Sequence, residues 1–273
     1  MSLRAAAQEA AERLNAAGIP DAEFEAELLA REAAGVSRAR FFAGAAAGRD
    51  ELERLHELIE RRLEREPSAY ITGSREFYGR EFVVGPGVLV PRPETELLVE
   101  IALAELASSP RLVVVDVGTG SGAIAVSVAA AAPGSRVVGI DTSAAALAIA
   151  ARNAALHAPG TQLIMGDLLA PIGRAGIVLA NLPYIPTWEI EALEPEVSRW
   201  EPRVALDGGE DGLVLIRQLI DDCACRVRPR LLALEVGVGQ APALAGELRE
   251  RGLKPETLRD LAGIERVVCC RWA

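Results

Sequence analysis

Three short runs in the middle of the chain end, one after another, in an aspartate. Leu112-Val113-Val114-Val115 leads into Asp116, Arg136-Val137-Val138-Gly139-Ile140 into Asp141, and Thr161-Gln162-Leu163-Ile164-Met165-Gly166 into Asp167. The first is continuously apolar, the pattern of a parallel strand covered on both faces. Between the runs lie stretches that read as helices, Ala123 to Ala131 and Ser143 to His157. Strands alternating with helices predict a parallel α/β sheet. In open sheets of this kind ligands bind beyond the carboxyl ends of the strands. Each aspartate taken alone also fits a cap or a turn. Three at three successive strand ends point to one ligand contacted in several places.

The first strand runs into Val117-Gly118-Thr119-Gly120-Ser121-Gly122 and then the helix from Ala123. This loop satisfies G-x-G-x-x-A, a dinucleotide fingerprint, and also D-x-G-x-G-x-G starting at Asp116. Phosphate favours bare backbone N–H groups at a helix N-terminus. An acid at the start of the loop suits a cationic ligand instead. S-adenosylmethionine has no phosphate but carries an ammonium and a sulfonium. Gly118, Thr119, Gly120, Ser121 and Gly122 would let backbone approach it closely. Asp141 is placed to accept from the ribose hydroxyls, and Asp167 from the adenine amino group.

A fourth apolar run, Gly176-Ile177-Val178-Leu179-Ala180, ends in Asn181-Leu182-Pro183-Tyr184-Ile185-Pro186. The amide oxygen of Asn181 is a hydrogen-bond acceptor held among stiff neighbours at a strand's carboxyl end. Asn and Pro also make ordinary turns. Beside the cofactor acids, the stretch reads as the place where a methyl donor meets a nitrogen acceptor. Tyr184 could stack on a substrate amide and face a positively charged methyl group.

Residues 1 to about 70 carry no convincing strand. Leu14, Phe24, Leu28, Leu29, Phe41, Phe42, Leu52, Leu55, Leu58, Ile59 and Leu63 recur at helical spacing, with breaks at Gly18-Ile19-Pro20-Asp21 and Ala34-Gly35-Val36-Ser37. The expectation is a bundle of four or five helices over residues 1–72 that docks a partner. A hairpin connector is expected over 73–92, with Phe77–Val84 and Val88–Val90 as its strands around Gly85-Pro86-Gly87. Residues 93–273 form the sheet domain. Pro91-Arg92-Pro93-Glu94-Thr95-Glu96 opens a helix from Leu97 to about Ser108; proline and acids belong there. Arg92 between two prolines is not explained that way, so Arg92 and Glu94 are candidate substrate contacts. Beyond Tyr184 come a helix from Asp211 to about Arg226, a strand at Leu231–Gly237, a helix from Gln240 to Arg251, and strands around Thr257-Leu258 and Arg266–Cys270.

The formal net charge is -10, and Lys254 is the only lysine. A chain this acidic does not hold nucleic acid by broad phosphate neutralisation. Cys223, Cys225, Cys269 and Cys270 are not at zinc spacing, and His56 and His157 lie far from them, so no metal and no structural disulfide are expected. No apolar run approaches the roughly 20 residues that cross a bilayer. The start has no signal-peptide core. The chain reads as soluble and cytoplasmic.

Asp116-Val-Gly-Thr-Gly-Ser-Gly, Asp141, Asp167 and a strand-four Asn-x-Pro-Tyr together resemble the class I S-adenosylmethionine-dependent methyltransferases. Ala69-Tyr70-Ile71-Thr72-Gly73, Glu76-Phe77-Tyr78-Gly79, Val90-Pro91-Arg92-Pro93-Glu94-Thr95-Glu96, Glu201-Pro202-Arg203-Val204-Ala205-Leu206-Asp207-Gly208-Gly209 and Glu235-Val236-Gly237 resemble the HemK/PrmC family. That family consists of protein-glutamine N5-methyltransferases acting on peptide chain release factors. The resemblance runs from about residue 66 to the C-terminus. It implies an α/β fold: a Rossmann-like class I methyltransferase sheet of seven strands with the last hairpin antiparallel, beside an N-terminal helical bundle. It implies S-adenosyl-L-methionine as cofactor and S-adenosyl-L-homocysteine as product. It implies the Gly-Gly-Gln loop of a release factor as partner, with no membrane, no stable nucleic-acid partner, and a monomeric enzyme. It assigns the Asn181 side-chain oxygen and the Leu182 backbone carbonyl to the two N–H bonds of the substrate amide. Pro183 and Tyr184 complete that site, with Asn181 also beside the cofactor. Two positions depart from the family. Leu182 replaces the first proline of Asn-Pro-Pro-Tyr, and Leu168 stands where relatives often place an aromatic residue on the adenine. Asn-Leu-Pro-Tyr also resembles the motif of RNA adenine-N6 methyltransferases, and a second relative methylates a ribosomal-protein glutamine. Both remain alternatives at this point.

Overall fold

The computed structural model describes residues 2–272. The chain divides into two compact units, Met1–Ser74 with Glu194–Trp200, and Arg75–Leu193 with Glu201–Ala273.

Among the described residues the first unit contains five α-helices: α1 Leu3–Ala16, α2 Ala22–Ala34, α3 Arg38–Phe42, α4 Arg49–Leu63 and α5 Ser68–Thr72. The breaks fall where the turn residues require them. Gly35 ends α2 in a left-handed conformation at φ 59°, and the Ser37 hydroxyl caps α3 by accepting from the Arg40 N–H at 3.3 Å. Leu3, Leu14, Leu29 and Ile59 are fully buried in the core, whereas Phe24 and Phe42 are about half exposed despite their helical spacing. Glu194–Trp200 joins this unit through polar contacts. Glu196 pairs with Arg62 at 2.8 Å and Arg65 at 2.9 Å, and the Trp200 indole donates to the Glu64 carbonyl at 3.3 Å.

The second unit opens with a hairpin, β1 Ser74–Phe77 and β2 Arg80–Val83. This corrects the expected hairpin position. The turn is Tyr78-Gly79, with φ 50° and 68°, rather than Gly85-Pro86-Gly87, and Val88–Val90 is not a strand. Two consecutive positive φ values match the twist of tightly connected strands, which a proline-containing turn does not. Buried Asn153 fastens the hairpin, accepting from the Val83 N–H at 2.7 Å and donating to its carbonyl at 2.9 Å.

The remaining elements are α6 Glu96–Ser108, β3 Val113–Val117, α7 Ala123–Ala131, β4 Arg136–Asp141, α8 Ala144–His157, β5 Gln162–Met165, β6 Ile177–Ala180, α9 Val214–Asp222, β7 Leu231–Glu235, α10 Ala241–Glu250, β8 Glu256–Arg259 and β9 Glu265–Cys270. Seven strands form one sheet in the order β5-β4-β3-β6-β7-β9-β8. β3, β4, β5, β6 and β7 pair in parallel, while β9 runs antiparallel to β7 and β8. Alternation along each strand divides the core. Val115, Val117, Val178 and Ala180 pack with Ile216, Leu219 and Leu244, whereas Val114, Ile177 and Leu179 pack with Leu98, Ala102 and Ile124. Burying each of these larger side chains contributes roughly 1.5–3 kcal/mol before the entropy of ordering the chain is set against it. Strand order reverses between β3 and β6, and such a switch point opens a crevice at the strand ends.

All four cysteines are free thiols. Burial pushes Cys269 and Cys270 up to about 12, so these side chains act as packing groups. Among the described residues no helix is long and apolar enough to cross a membrane, and no cluster of His, Cys, Asp and Glu could hold a metal ion.

Candidate active site

A cavity of about 320 Å³ lies at the carboxyl ends of β3, β4, β5 and β6, and every residue lining it belongs to the second unit. Its walls bring together Gly118, Thr119, Gly120, Ser121, Asp141, Asp167, Leu168, Asn181, Leu182 and Pro183. Asp116, Gly122, Arg92, Glu94 and Tyr184 are not among its lining residues.

The glycine loop takes its shape from left-handed backbone. Gly118, Gly120 and Gly122 have φ values of 74°, 56° and 81°. The N–H groups of Gly118 and Thr119 both donate to the Ile140 carbonyl, at 2.9 and 2.8 Å, and the Gly120 N–H donates to Asp141 Oδ2 at 2.9 Å. Asp141 accepts from the Ser143 N–H with its other oxygen at 2.9 Å, so its carboxylate is fixed before any ligand arrives. Gly122 serves helix packing. A β-carbon there would lie 3.2 Å from the Ala150 methyl group.

Asp116 braces the loop from beneath. It is completely buried and accepts from the Thr119 hydroxyl at 2.6 Å and the Ala125 N–H at 3.1 Å, both through Oδ2. Burial pushes its carboxyl up to about 7, against the pull of these two hydrogen bonds, with the Asp141 charge adding to the rise. Asp116 thus reaches the cavity through Thr119.

Asp167 is exposed at the end of β5, and Leu168 follows it at φ 45°. A left-handed leucine is uncommon. It is held there by fully buried Leu169, whose N–H donates to Asp222 at 3.3 Å.

At the end of β6 the Asn181 Nδ2 donates to the Thr95 hydroxyl at 3.0 Å. Leu182 turns inward and is buried. The following loop is clamped by Gly208–Gly212. The Ile185 N–H donates to the Leu206 carbonyl at 3.0 Å, the Gly208 N–H to the Ile185 carbonyl at 2.9 Å, and the Thr187 N–H to the Gly209 carbonyl at 2.9 Å. A β-carbon on Gly208 would lie 2.6 Å from the Pro183 carbonyl oxygen, and one on Gly212 would collide with the Tyr184 carbonyl. Only glycine permits this approach. Gln240 completes the clamp, donating to the Tyr184 carbonyl at 2.8 Å and accepting from the Gly237 N–H at 2.8 Å.

The Tyr184 hydroxyl points to Glu235 Oε1 at 3.4 Å. Burial, followed by the Glu235 charge, pushes the phenol above its ordinary value, so it stays protonated and donates. Burial also pushes Glu235 up to about 7, partly offset by the nearby Thr95 hydroxyl and the Arg266 charge. Arg92 is committed to buried Glu201, reaching its two oxygens at 2.9 and 2.8 Å, and the Val90 N–H adds a third bond at 3.2 Å. Burial raises Glu201, and Arg92 counters it. Sequence reasoning gave no site role to Thr95, Glu235 or Gln240, although Thr95 and Glu235 lie in stretches that carry the family resemblance. One signal was available for Glu235, which is a further acid ending a strand.

The family model described as the PrmC N-terminal domain matches residues 5–73, and the one described as the methyltransferase small domain matches residues 93–191. The release factor glutamine methyltransferase of Deinococcus radiodurans is 40% identical over 277 residues, covering 100% of this chain and 99% of its own. The enzyme of the same name from Geobacter sulfurreducens is 40% identical over 257 residues, covering 92% and 90%, respectively. This chain belongs to the release factor glutamine methyltransferase family. A further member, from Gloeobacter violaceus, is 43% identical over 255 residues, covering 89% of this chain and 88% of its own. Among solved structures, the hMettl16 catalytic domain in complex with MAT2A 3'UTR hairpin 6 aligns with a TM-score of 0.59 at 16% identity, covering 76% of this chain and 80% of that one. That likeness shows the fold. The two family models match this chain in the order of its helical region and its sheet region.

Proposed function

We infer that this chain transfers a methyl group from S-adenosyl-L-methionine to the N5 side-chain nitrogen of a release-factor glutamine, the one in the Gly-Gly-Gln loop. The observation that carries this reading is the shared cavity. Asn181, Leu182 and Pro183 wall the same space as Gly118–Ser121, Asp141 and Asp167.

The residues present fit the cofactor. Asp141 keeps lone pairs for ribose hydroxyls beyond its two backbone bonds. Asp167 can accept from an adenine amino group, and Leu168 offers an apolar face beside it. When bound, S-adenosyl-L-methionine supplies an electrophilic methyl group on its sulfonium, and S-adenosyl-L-homocysteine is the product.

The chain's own residues act on the acceptor. An amide nitrogen is a poor nucleophile because its lone pair is delocalised into the carbonyl. Asn181 Oδ1 and the Leu182 carbonyl accept its two N–H bonds, which orients the nitrogen and raises its electron density. Leucine can serve at position 182 because its contribution there is a backbone carbonyl. Tyr184 lies behind the cavity lining and steadies the loop that carries Leu182 and Pro183, through Glu235 and Gln240. Arg92 and Glu94 act at a distance, Arg92 by neutralising Glu201 and Glu94 through its charge on Glu235. No strong base is required, because the N-protonated product amide is acidic enough to lose its proton to water. The helical unit docks the release factor, and the enzyme works as a cytoplasmic monomer without a stable nucleic-acid partner.

The test is transfer of label from S-adenosyl-L-methionine to a purified release factor. Label is expected on the Gly-Gly-Gln glutamine and absent from a release factor with Gln→Ala there. Equal labelling of both, or label on ribosomal RNA or a ribosomal protein instead, would overturn the reading.

A further inference from the structure

Thr95 and Glu235 have no role of their own in the reading above, yet they contact Asn181 and Tyr184. Both are buried, at 4% and 2% exposure. Thr95 closes the short 3-10 turn Pro93–Thr95 before α6, and Glu235 ends β7, the strand beside β6.

The two ends of an asparagine side chain have nearly the same shape, and only hydrogen bonding decides which faces a ligand. Here Nδ2 is committed to the Thr95 hydroxyl at 3.0 Å, which leaves Oδ1 for the cavity. A hydroxyl that accepts from an amide still has its own proton to place. The Thr95 hydroxyl lies close enough to Glu235 to draw its carboxyl down, and the Tyr184 hydroxyl approaches the same carboxylate at 3.4 Å. An ionised carboxylate only accepts. It therefore draws both neighbouring hydroxyl protons toward itself, so that Tyr184 donates to Glu235 and Thr95 is left to accept from Asn181. A neutral hydroxyl in that place could turn and present its proton to Asn181 instead.

We propose that Thr95 and Glu235 are positioning residues that set the orientation of the Asn181 amide and hold the Tyr184 ring, so that Oδ1 faces the substrate nitrogen. The inference rests on the methyl-transfer reading and extends it to the groups that aim the acceptor. A buried carboxylate here is costly. Its Oε2 has no hydrogen-bond partner among the described residues, a penalty that an apolar side chain would avoid. Burial first, and the nearby Glu94 charge, push Glu235 up, whereas Thr95, Arg266 and Tyr184 draw it down, leaving it at about 7. The directional chain is complete when Glu235 is ionised, so it tightens as pH rises through neutrality.

The experiment compares Thr95→Val, which keeps the shape and loses the acceptor, with Thr95→Ser, which keeps the hydroxyl. Turnover on the release factor should fall at least about tenfold in Thr95→Val and return to within about threefold of the parent in Thr95→Ser. Affinity for S-adenosyl-L-homocysteine should change by less than about threefold in either variant. Turnover of the parent should rise with pH near neutrality, and Glu235→Gln should lose that rise. A second readout needs no substrate. The Asn181 side-chain NH₂ resonances, identified by their loss in Asn181→Asp, should shift and broaden in Thr95→Val and stay near the parent positions in Thr95→Ser. Unchanged resonances or unchanged turnover in Thr95→Val would overturn the inference, as would equal losses in the two Thr95 variants. If the parent protein labels no release factor while the resonances move as described, the substrate reading fails and the orienting chain stands.

Discussion

Leu182 occupies the space that a β-carbon on Gly118 would need, and such an atom would lie 3.0 Å from Leu182 Cδ2. The two residues follow neighbouring parallel strands, β3 and β6, in which Val117 pairs with Ala180. The loop expected to face the cofactor and the loop expected to face the acceptor are therefore in contact through one leucyl group. A leucine at position 182 lacks the stiffness of a proline ring and supplies a side chain that packs against the glycine loop.

Leu182→Ala should destabilise the protein by about 2–3 kcal/mol, because buried Leu→Ala changes lose transfer energy and leave a cavity. Gly118→Ala should also destabilise it, since φ is 74° there and the new methyl group meets Leu182. The double variant should lose less than the sum of the two, with a coupling of about 0.5 kcal/mol or more. Urea unfolding of the four proteins checks this, and strict additivity would mean that the two side chains do not interact.

Asn181→Ala should lower turnover at least about tenfold, equivalent to roughly 1.4 kcal/mol of lost transition-state stabilisation. Single-turnover methylation of a release factor measures the loss. Undiminished turnover would remove Asn181 from the mechanism.

Arg92→Ala should act through stability. It leaves Glu201 buried with only the Val90 N–H as partner, at a cost of about 2–3 kcal/mol once the partial exposure of Arg92 is allowed for. Arg92→Met combined with Glu201→Leu should recover most of that loss, because a buried pair replaced by apolar groups is often neutral. Thermal melts give the comparison. A double variant as unstable as Arg92→Ala would contradict a purely structural bracing role.

Stability should fall as pH rises from about 4.5 through about 7. Glu235 has an unfolded value of 4.5 and a folded value of about 7, so in that window the native state holds a proton that the unfolded chain has released. Stability contributed by the protonated form is complete below 4.5 and lost as pH rises through 7. Asp116, raised from 3.8 to about 7, acts in the same direction. Glu235→Gln should therefore flatten the decline without abolishing it. Melting temperatures of the parent and the variant at pH 5 and pH 8 decide the matter, and parallel curves would exclude Glu235 as a source.

Much of the site was legible in the sequence because it is built from strand ends. Apolar runs ending in Asp116, Asp141 and Asp167 could be read without any long-range information, and so could the stop at Asn181. What escaped depends on contacts between distant segments. Thr95 looks like one residue of a helix start until the Asn181 amide, 86 positions away, is seen donating to it. Arg92 invited a functional reading because its partner, Glu201, lies 109 positions away. The hairpin was displaced because Gly-Pro-Gly is the louder turn signal, whereas Tyr78 conceals its positive φ behind an aromatic side chain. Asp116 was read as a ligand contact; its burial, invisible in sequence, directs it to Thr119 and the start of α7.

The helical unit is not one continuous stretch of chain, because Glu194–Trp200 belongs to it and carries the carboxylate that Arg62 and Arg65 engage. Three peptide links therefore pass between the units instead of one. Grafting the first 74 residues of a relative onto this protein would exchange only part of that module. A working chimera must also import the relative's counterpart of residues 194–200, because the Glu196 carboxylate and its two arginine partners would otherwise come from different proteins.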